Sequence, residues 1–275
     1  MVIRFSSNRA LVMAGVLAST GSAMVGARNL LAGQADQARS LIPRAFDAPP
    51  HADGVYPPEG GPIDRRHRDY GDGIHLMVFG DSTATGYGCT AADEVPGALL
   101  ARATASRMGK PVRLSTKAIV GATSKGLAGQ VDAMLIAGTP PDAAVIMIGA
   151  NDVTSLNGIG PSARRLGASV RRLRHSGAVV VVGTCPDLGV ITAIPQPLRF
   201  TARSLGLRLA RAQAAEVRAA GGIPVPLAHL LGPHFRARAD SLLAADRYHP
   251  SAQGYALAAE GLLPALCHAL DLADA

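Results

Sequence analysis

Five short apolar runs, spaced by longer helical stretches, constrain this chain more than any other feature. They read "IHLMVFG", "VRLSTKAIVG", "AAVIMIGA", "AVVVVGT" and "GIPVPLAHL", and they lie between Ile74 and Leu230. Segments with helical character fall near Val95 to Met108, Ser124 to Ile136, Pro161 to His175, Leu198 to Ala220 and Ser251 to Leu270. The runs are continuously apolar rather than alternating, which predicts strands covered on both faces. Regular alternation of strand and helix predicts right-handed crossovers between parallel strands. The expected fold class is therefore α/β, a three-layer α/β/α sandwich around a central five-stranded parallel sheet.

On such sheets ligands bind beyond the carboxyl ends of the strands, so the residues that follow each run matter most. Gly80, Asp81 and Ser82 follow the first run, Gly121 lies in "VGATS" after the second, and "GAND" (Gly149 to Asp152) closes the third. The connection into the last helix reads "ADRYHPSAQGY" and carries Asp246 and His249.

Taken singly, each of these pieces has an ordinary structural reading. Gly, Asp and Ser are common turn formers, so Ser82 alone is a turn residue as readily as a nucleophile. Asn151 or Asp152 could cap the following helix, and Ser251 could cap the last one. Taken together they match what acyl transfer requires: a hydroxyl, a base, a group that orients the base, and donors for the developing oxyanion. Ser82 supplies the hydroxyl and His249 the base. Asp246 lies three residues before His249, so in a tight turn its carboxylate reaches Nδ1 and leaves Nε2 facing Ser82. The backbone N–H groups of Ser82 and Gly121 and the side-chain amide of Asn151 are the oxyanion donors. Glycine at 121 lets a substrate approach the backbone closely.

At these residues the sequence resembles the SGNH hydrolases, the GDSL-type serine esterases and lipases, over almost all of Ile74 to Leu270. "GDS" with Ser82, "IVGATSKGL" with Gly121, "GAND" with Asn151 and "DRYHP" with Asp246 and His249 appear in the family's order. The resemblance implies a flavodoxin-like sandwich, a serine carboxylesterase or lipase-type activity, and the same roles for the five residues. It also implies that no metal or organic cofactor is needed. The chain departs from the family's habit in two places: Thr83 stands where Leu is common, and Lys117 and Ala118 stand where Asn is common. Ala84 occupies the second glycine position of a G-x-S-x-G elbow, which argues against the larger α/β-hydrolase family.

Asp81 and Asp152 flank the candidate positions and are expected to hold turns rather than to do chemistry. Asp187 and the loop through Val190, Ile191 and Ile194 are expected to wall the substrate cleft. No insertion reads as a lid, so small or short-chain esters are expected rather than a lipid interface. The remaining histidines, His51, His67, His75, His175, His229, His234 and His268, read as solvated or structural.

The N-terminus has Arg4 and Arg9 and then runs uncharged from Ala10 to Ala27 with small residues near its end, as in a secretory signal. Residues 1–43 are therefore read as a signal peptide or membrane anchor, 44–73 as a Pro/Gly-rich linker and 74–275 as the catalytic domain. Export is the inference, with secretion or association with the cell envelope, and peripheral or anchored contact with a membrane. The net charge of +7 is nearly all arginine, and the densest cluster (Arg164, Arg165, Arg171, Arg172, Arg174) reads as a solvated helix face. Tryptophan is absent and aromatics are few, so no platform for nucleic acid is evident. Cys89, Cys185 and Cys267 show no metal-ligand spacing, and at most one disulfide could form within the chain. Two other functions use the same residues or scaffold: an envelope acyltransferase that passes the acyl group to a sugar or lipid hydroxyl, and a non-catalytic envelope-binding module.

Overall fold

The computed structural model describes residues 29–30, 33–34, 48–60 and 71–274. The signal or anchor expected from Ala10 to Ala27 lies outside them. The chain forms β1 (Gly54–Tyr56), β2 (Ile74–Gly80), α1 (Ser82–Thr85), α2 (Pro96–Met108), β3 (Val112–Thr116), α3 (Ser124–Ala137) and β4 (Ala143–Met147). It continues with α4 (Ala150–Thr154), α5 (Ile159–His175), β5 (Val179–Gly183), α6 (Leu198–Ala219), β6 (Ile223–Val225), α7 (Leu227–Ala237), α8 (Ala239–Leu242) and α9 (Ala252–Asp274).

The sheet order is β1-β3-β2-β4-β5-β6. Strands β2 to β6 are mutually parallel, in the flavodoxin-like order. The expected five-stranded sheet thus gains a sixth strand, because β1 pairs antiparallel with β3. That strand comes from the segment read as linker. Its three residues sit among prolines and glycines, too short for strand periodicity to register, yet Val55 and Tyr56 are buried and Asp53 accepts the Thr116 N–H at 2.9 Å. The last apolar run also divides: the strand stops at Val225, and Leu227 begins α7.

Successive side chains of a strand point to opposite faces, and here both faces are covered. Leu76, Val78, Val145 and Val181 pack with Leu100, Ala101, Leu262 and Leu266, which belong to α2 and α9. Met77, Phe79, Ile146 and Val180 pack with Leu127, Leu166, Val170 and Val217, from α3, α5 and α6. Helix α9 is long and apolar enough to cross a membrane by length and composition, but Leu262 and Leu266 are fully buried against the sheet. The arginine-rich face of α5 is partly paired: Arg172 meets Asp132, and Arg174 donates to the Ala178 carbonyl at 2.8 Å.

The order reverses between β3-β2 and β2-β4, which opens a crevice at the carboxyl ends of β2 and β4. Ser82 follows the first of those strands and Asn151 the second.

Candidate active site

The nucleophile candidate stands on a forced turn. Gly80 has φ 136°, and a Cβ there would collide with the Met147 carbonyl oxygen, so only glycine lets the chain leave the sheet so close to β4. Asp81 then caps α1 by accepting the Thr83 N–H at 2.9 Å. Ser82 is the first residue of that helical turn, where the backbone N–H has no intrahelical acceptor.

The candidate base comes from the loop before α9. Asp246 accepts the backbone N–H groups of Tyr248 at 2.9 Å and His249 at 3.0 Å through Oδ1, while Oδ2 meets His249 Nδ1 at 2.6 Å. The turn requires a left-handed residue, supplied by Arg247 with φ 54°. His249 Nε2 lies 3.1 Å from Ser82 Oγ. Burial works against ionisation of Asp246, but the hydrogen bonds from the His249 ring and from the two backbone N–H groups outweigh it and hold the carboxyl below the usual range. The imidazole is wedged between two rings, with centroids 4.5 Å away at Tyr87 and 4.9 Å away at Tyr248. Tyr255 in turn donates to the Tyr87 carbonyl at 2.7 Å. Burial pushes the Tyr248 hydroxyl up to about 12.

Asn151 lies in α4, behind Gly149 (φ 141°), and its amide donates to the Ala122 carbonyl at 3.0 Å. One amide hydrogen is thereby used to fix the side chain, which leaves the second. Gly121 sits in the same turn with φ 80° and open space where a Cβ would stand. It is needed for backbone handedness rather than for lack of room. Ile119 donates to Gly80 O at 3.1 Å, so this turn is held between the Ser82 strand end and Asn151. Gly121 does not itself line the cavity described next.

Ser82, Asn151 and His249 open on a cleft of about 890 Å³, part of it solvent. Its walls are mostly apolar: Met147, Leu188, Ile191, Leu227, Leu231 and Phe235 among them. Val190 and Ile191 do line it, as the sequence suggested, whereas Ile194 packs in a neighbouring apolar cluster with Leu188 and Leu209. Asp187 lines it too, with a carboxylate that is almost fully buried. Gly189 N–H donates to it at 2.9 Å, Arg236 at 2.6 Å and Arg203 at 3.3 Å. The two arginines come from α6 and α7, so this carboxylate ties the cleft wall to both helices.

The flanking aspartates behave as supports. Asp152 accepts from Ser124 N–H and Oγ, Ser162 Oγ and Asn157, and so joins the starts of α3, α4 and α5. Asp81 is buried, and burial raises its carboxyl to about 6 against the opposing pull of the Thr83 and Gly149 N–H groups and of His249. Ser251 accepts the Gly254 N–H at 3.2 Å and donates to the Ser241 carbonyl at 2.6 Å, so it caps α9. His75 is structural: burial first, and Arg113 second, lower it to about 4, and its ring meets Ser115 Oγ at 3.0 Å. The three thiols are free.

The profile of the GDSL-like lipase/acylhydrolase family matches residues 78–257, which include all five candidate residues. The chain belongs to this family and is an ester-hydrolysing enzyme. A GDSL-like esterase of Mycobacterium tuberculosis is 68% identical over 264 residues, covering 96% of this chain and 84% of the relative. Among solved structures, TesA superposes with a TM-score of 0.57 at 23% identity, over 71% of this chain and 99% of its own. A lipase/acylhydrolase from Enterococcus faecalis does so with a TM-score of 0.54 at 23% identity, over 70% and 94%. At that identity the structural likeness carries the GDSL fold alone. No sequence signal marks Tyr87, Tyr255, Arg203 or Arg236 around this GDSL site, because the partner of each lies elsewhere in the chain: Tyr87 packs on His249, Tyr255 donates to Tyr87, and both arginines meet Asp187.

Proposed function

We propose that this enzyme is an exported serine esterase that hydrolyses small or short-chain acyl esters by double displacement. One observation carries the reading: Ser82 Oγ, His249 and Asp246 form an unbroken hydrogen-bonded line that opens on an apolar cleft. His249 Nε2 takes the Ser82 proton as Oγ attacks the ester carbonyl, while Asp246 holds Nδ1–H and stabilises the imidazolium. The oxyanion accepts from the Ser82 N–H group and the free hydrogen of the Asn151 amide, both of which line the cleft. Collapse breaks the bond to the alcohol oxygen, which leaves with the proton from Nε2. Water then gives its proton to Nε2 and attacks the acyl carbon, and Ser82 recovers its proton as the acid departs.

The acyl chain would run between Met147, Leu227, Leu231 and Phe235. Ser82 and His249 are only 8% and 6% exposed, which favours a compact ester over a broad lipid surface. Export rests on the basic start and uncharged stretch of the N-terminus. The test is hydrolysis of p-nitrophenyl esters from acetate to palmitate by the full chain, Ser82→Ala and Leu231→Trp. Ser82→Ala should be inactive, and Leu231→Trp should keep acetate turnover while losing the longer esters. Residual wild-type rates in Ser82→Ala would overturn the mechanism, and an unchanged chain-length profile in Leu231→Trp would overturn the acyl route.

A further inference from the structure

Two buried glutamines outside the cleft share an unusual arrangement. Gln130, on α3, accepts the Gly80 N–H through Oε1 at 2.9 Å and donates through Nε2 to the Gly80 carbonyl at 2.8 Å. Gln213, on α6, accepts the Cys185 N–H at 2.7 Å and donates to the Ile148 carbonyl at 3.0 Å. Both side chains are almost fully buried. Each amide therefore does what a neighbouring strand residue does, offering one acceptor and one donor to backbone groups in fixed positions.

The places they occupy explain the need. The β4–β5 ladder ends at Met147 and Gly183, and beyond it the two chains diverge toward the active site. Ile148 O and Cys185 N lie just past that point, where each would be a buried polar group without a ladder partner. Gln213 fills the gap. Its Nε2 also stands 2.9 Å from where a Cβ on Gly149 would be, so it packs directly under the turn that launches Asn151. Gly80 is the corresponding pivot of β2: the last residue of the strand, in register with Met147 of β4, with φ 136° immediately before Asp81 and Ser82, and its carbonyl is shared between Gln130 and the Ile119 N–H.

We infer that Gln213 and Gln130 are positioning residues for catalysis, Gln213 setting the height of the Asn151 amide and Gln130 that of the Ser82 turn. This rests on the oxyanion role of Asn151 proposed above. An oxyanion donor acts mainly in the transition state, and a displacement of about 1 Å can cost on the order of 100-fold in rate. Gln213→Met keeps length and volume but removes both hydrogen bonds. Gln213→Glu keeps the acceptor for Cys185 N–H and sets a second acceptor against the Ile148 carbonyl.

The experiment is a double-mutant cycle on the full chain with p-nitrophenyl acetate, using Gln213→Met, Asn151→Ala and the pair, with Gln213→Glu in place of Gln213→Met if the latter does not fold. Gln213→Met should lower kcat by about 10- to 100-fold with KM little changed, and should cost almost nothing further once Asn151 is alanine. A loss that multiplies with that of Asn151→Ala, or a lowered Tm with kcat within about twofold of wild type, would overturn the inference. If Asn151→Ala alone has wild-type kcat, the oxyanion reading fails instead, and the two failures are distinct.

Discussion

Asp81 offers a direct test of the electrostatics behind Ser82. It is 1% exposed, and its carboxyl is raised from 3.8 to about 6, chiefly by burial. At ~1.4 kcal/mol per unit, that rise corresponds to ~3 kcal/mol by which ionisation of Asp81 disfavours the folded state at neutral pH. The sign follows from which state holds the proton longer. The folded protein stays protonated at Asp81 to higher pH than the unfolded chain, so the favourable contribution is complete below the unfolded value and is lost as pH rises through about 6.

Asp81→Asn removes the titration while keeping one oxygen to accept an N–H. Urea unfolding of wild type and variant across about pH 4 to 8 gives the stability difference at each pH, in which every other titrating group cancels to first order. The wild type should lose ~2.5 kcal/mol relative to the variant across that window, the rest of the change lying below pH ~4, on top of any constant offset from altered hydrogen bonds. A difference that stays flat to within ~0.5 kcal/mol would refute the argument that burial dominates at Asp81.

Asn151→Ala should leave a folded protein with turnover lowered roughly 100- to 1,000-fold, measured by kcat on p-nitrophenyl acetate. Asp246→Asn should fold, because the remaining oxygen still accepts from Tyr248 and His249, but should lose on the order of 10⁴ in kcat; wild-type turnover would mean that another group orients His249. Gly80→Ala, forced against the Met147 carbonyl, should lower Tm steeply or fail to fold, and an unchanged melting curve would contradict the observed approach of β2 to β4. Arg236→Ala should destabilise by ~1–3 kcal/mol in urea unfolding, because it leaves the buried Asp187 carboxylate with the longer Arg203 contact.

What could be read from the sequence follows the range over which each feature is encoded. Strands β2, β4 and β5 are buried on both faces, so apart from His75 their composition is apolar and announces them. β1 is three residues on an edge and depends on β3, which lies more than fifty residues along the chain, so no local pattern betrays it. Runs two and five outlast their strands, because Ala118 to Val120 and Leu227 to Leu230 remain apolar after the ladder has ended, one in a turn and the other in α7. The site divides in the same way. Asp246 reaches His249 within a single turn, and Gly80, Asp81 and Ser82 form one more, so their roles leave short signatures. Gln130 and Gln213 act on backbone groups 50 and 65 residues away, and nothing adjacent to either marks it. Where β4 and β5 part beyond Met147 and Gly183, strand-end backbone groups lose their ladder partners, and the buried Gln213 side chain takes the ladder's place. The local motifs supply the reacting groups, whereas their relative height depends on side chains from helices that contribute nothing to the chemistry.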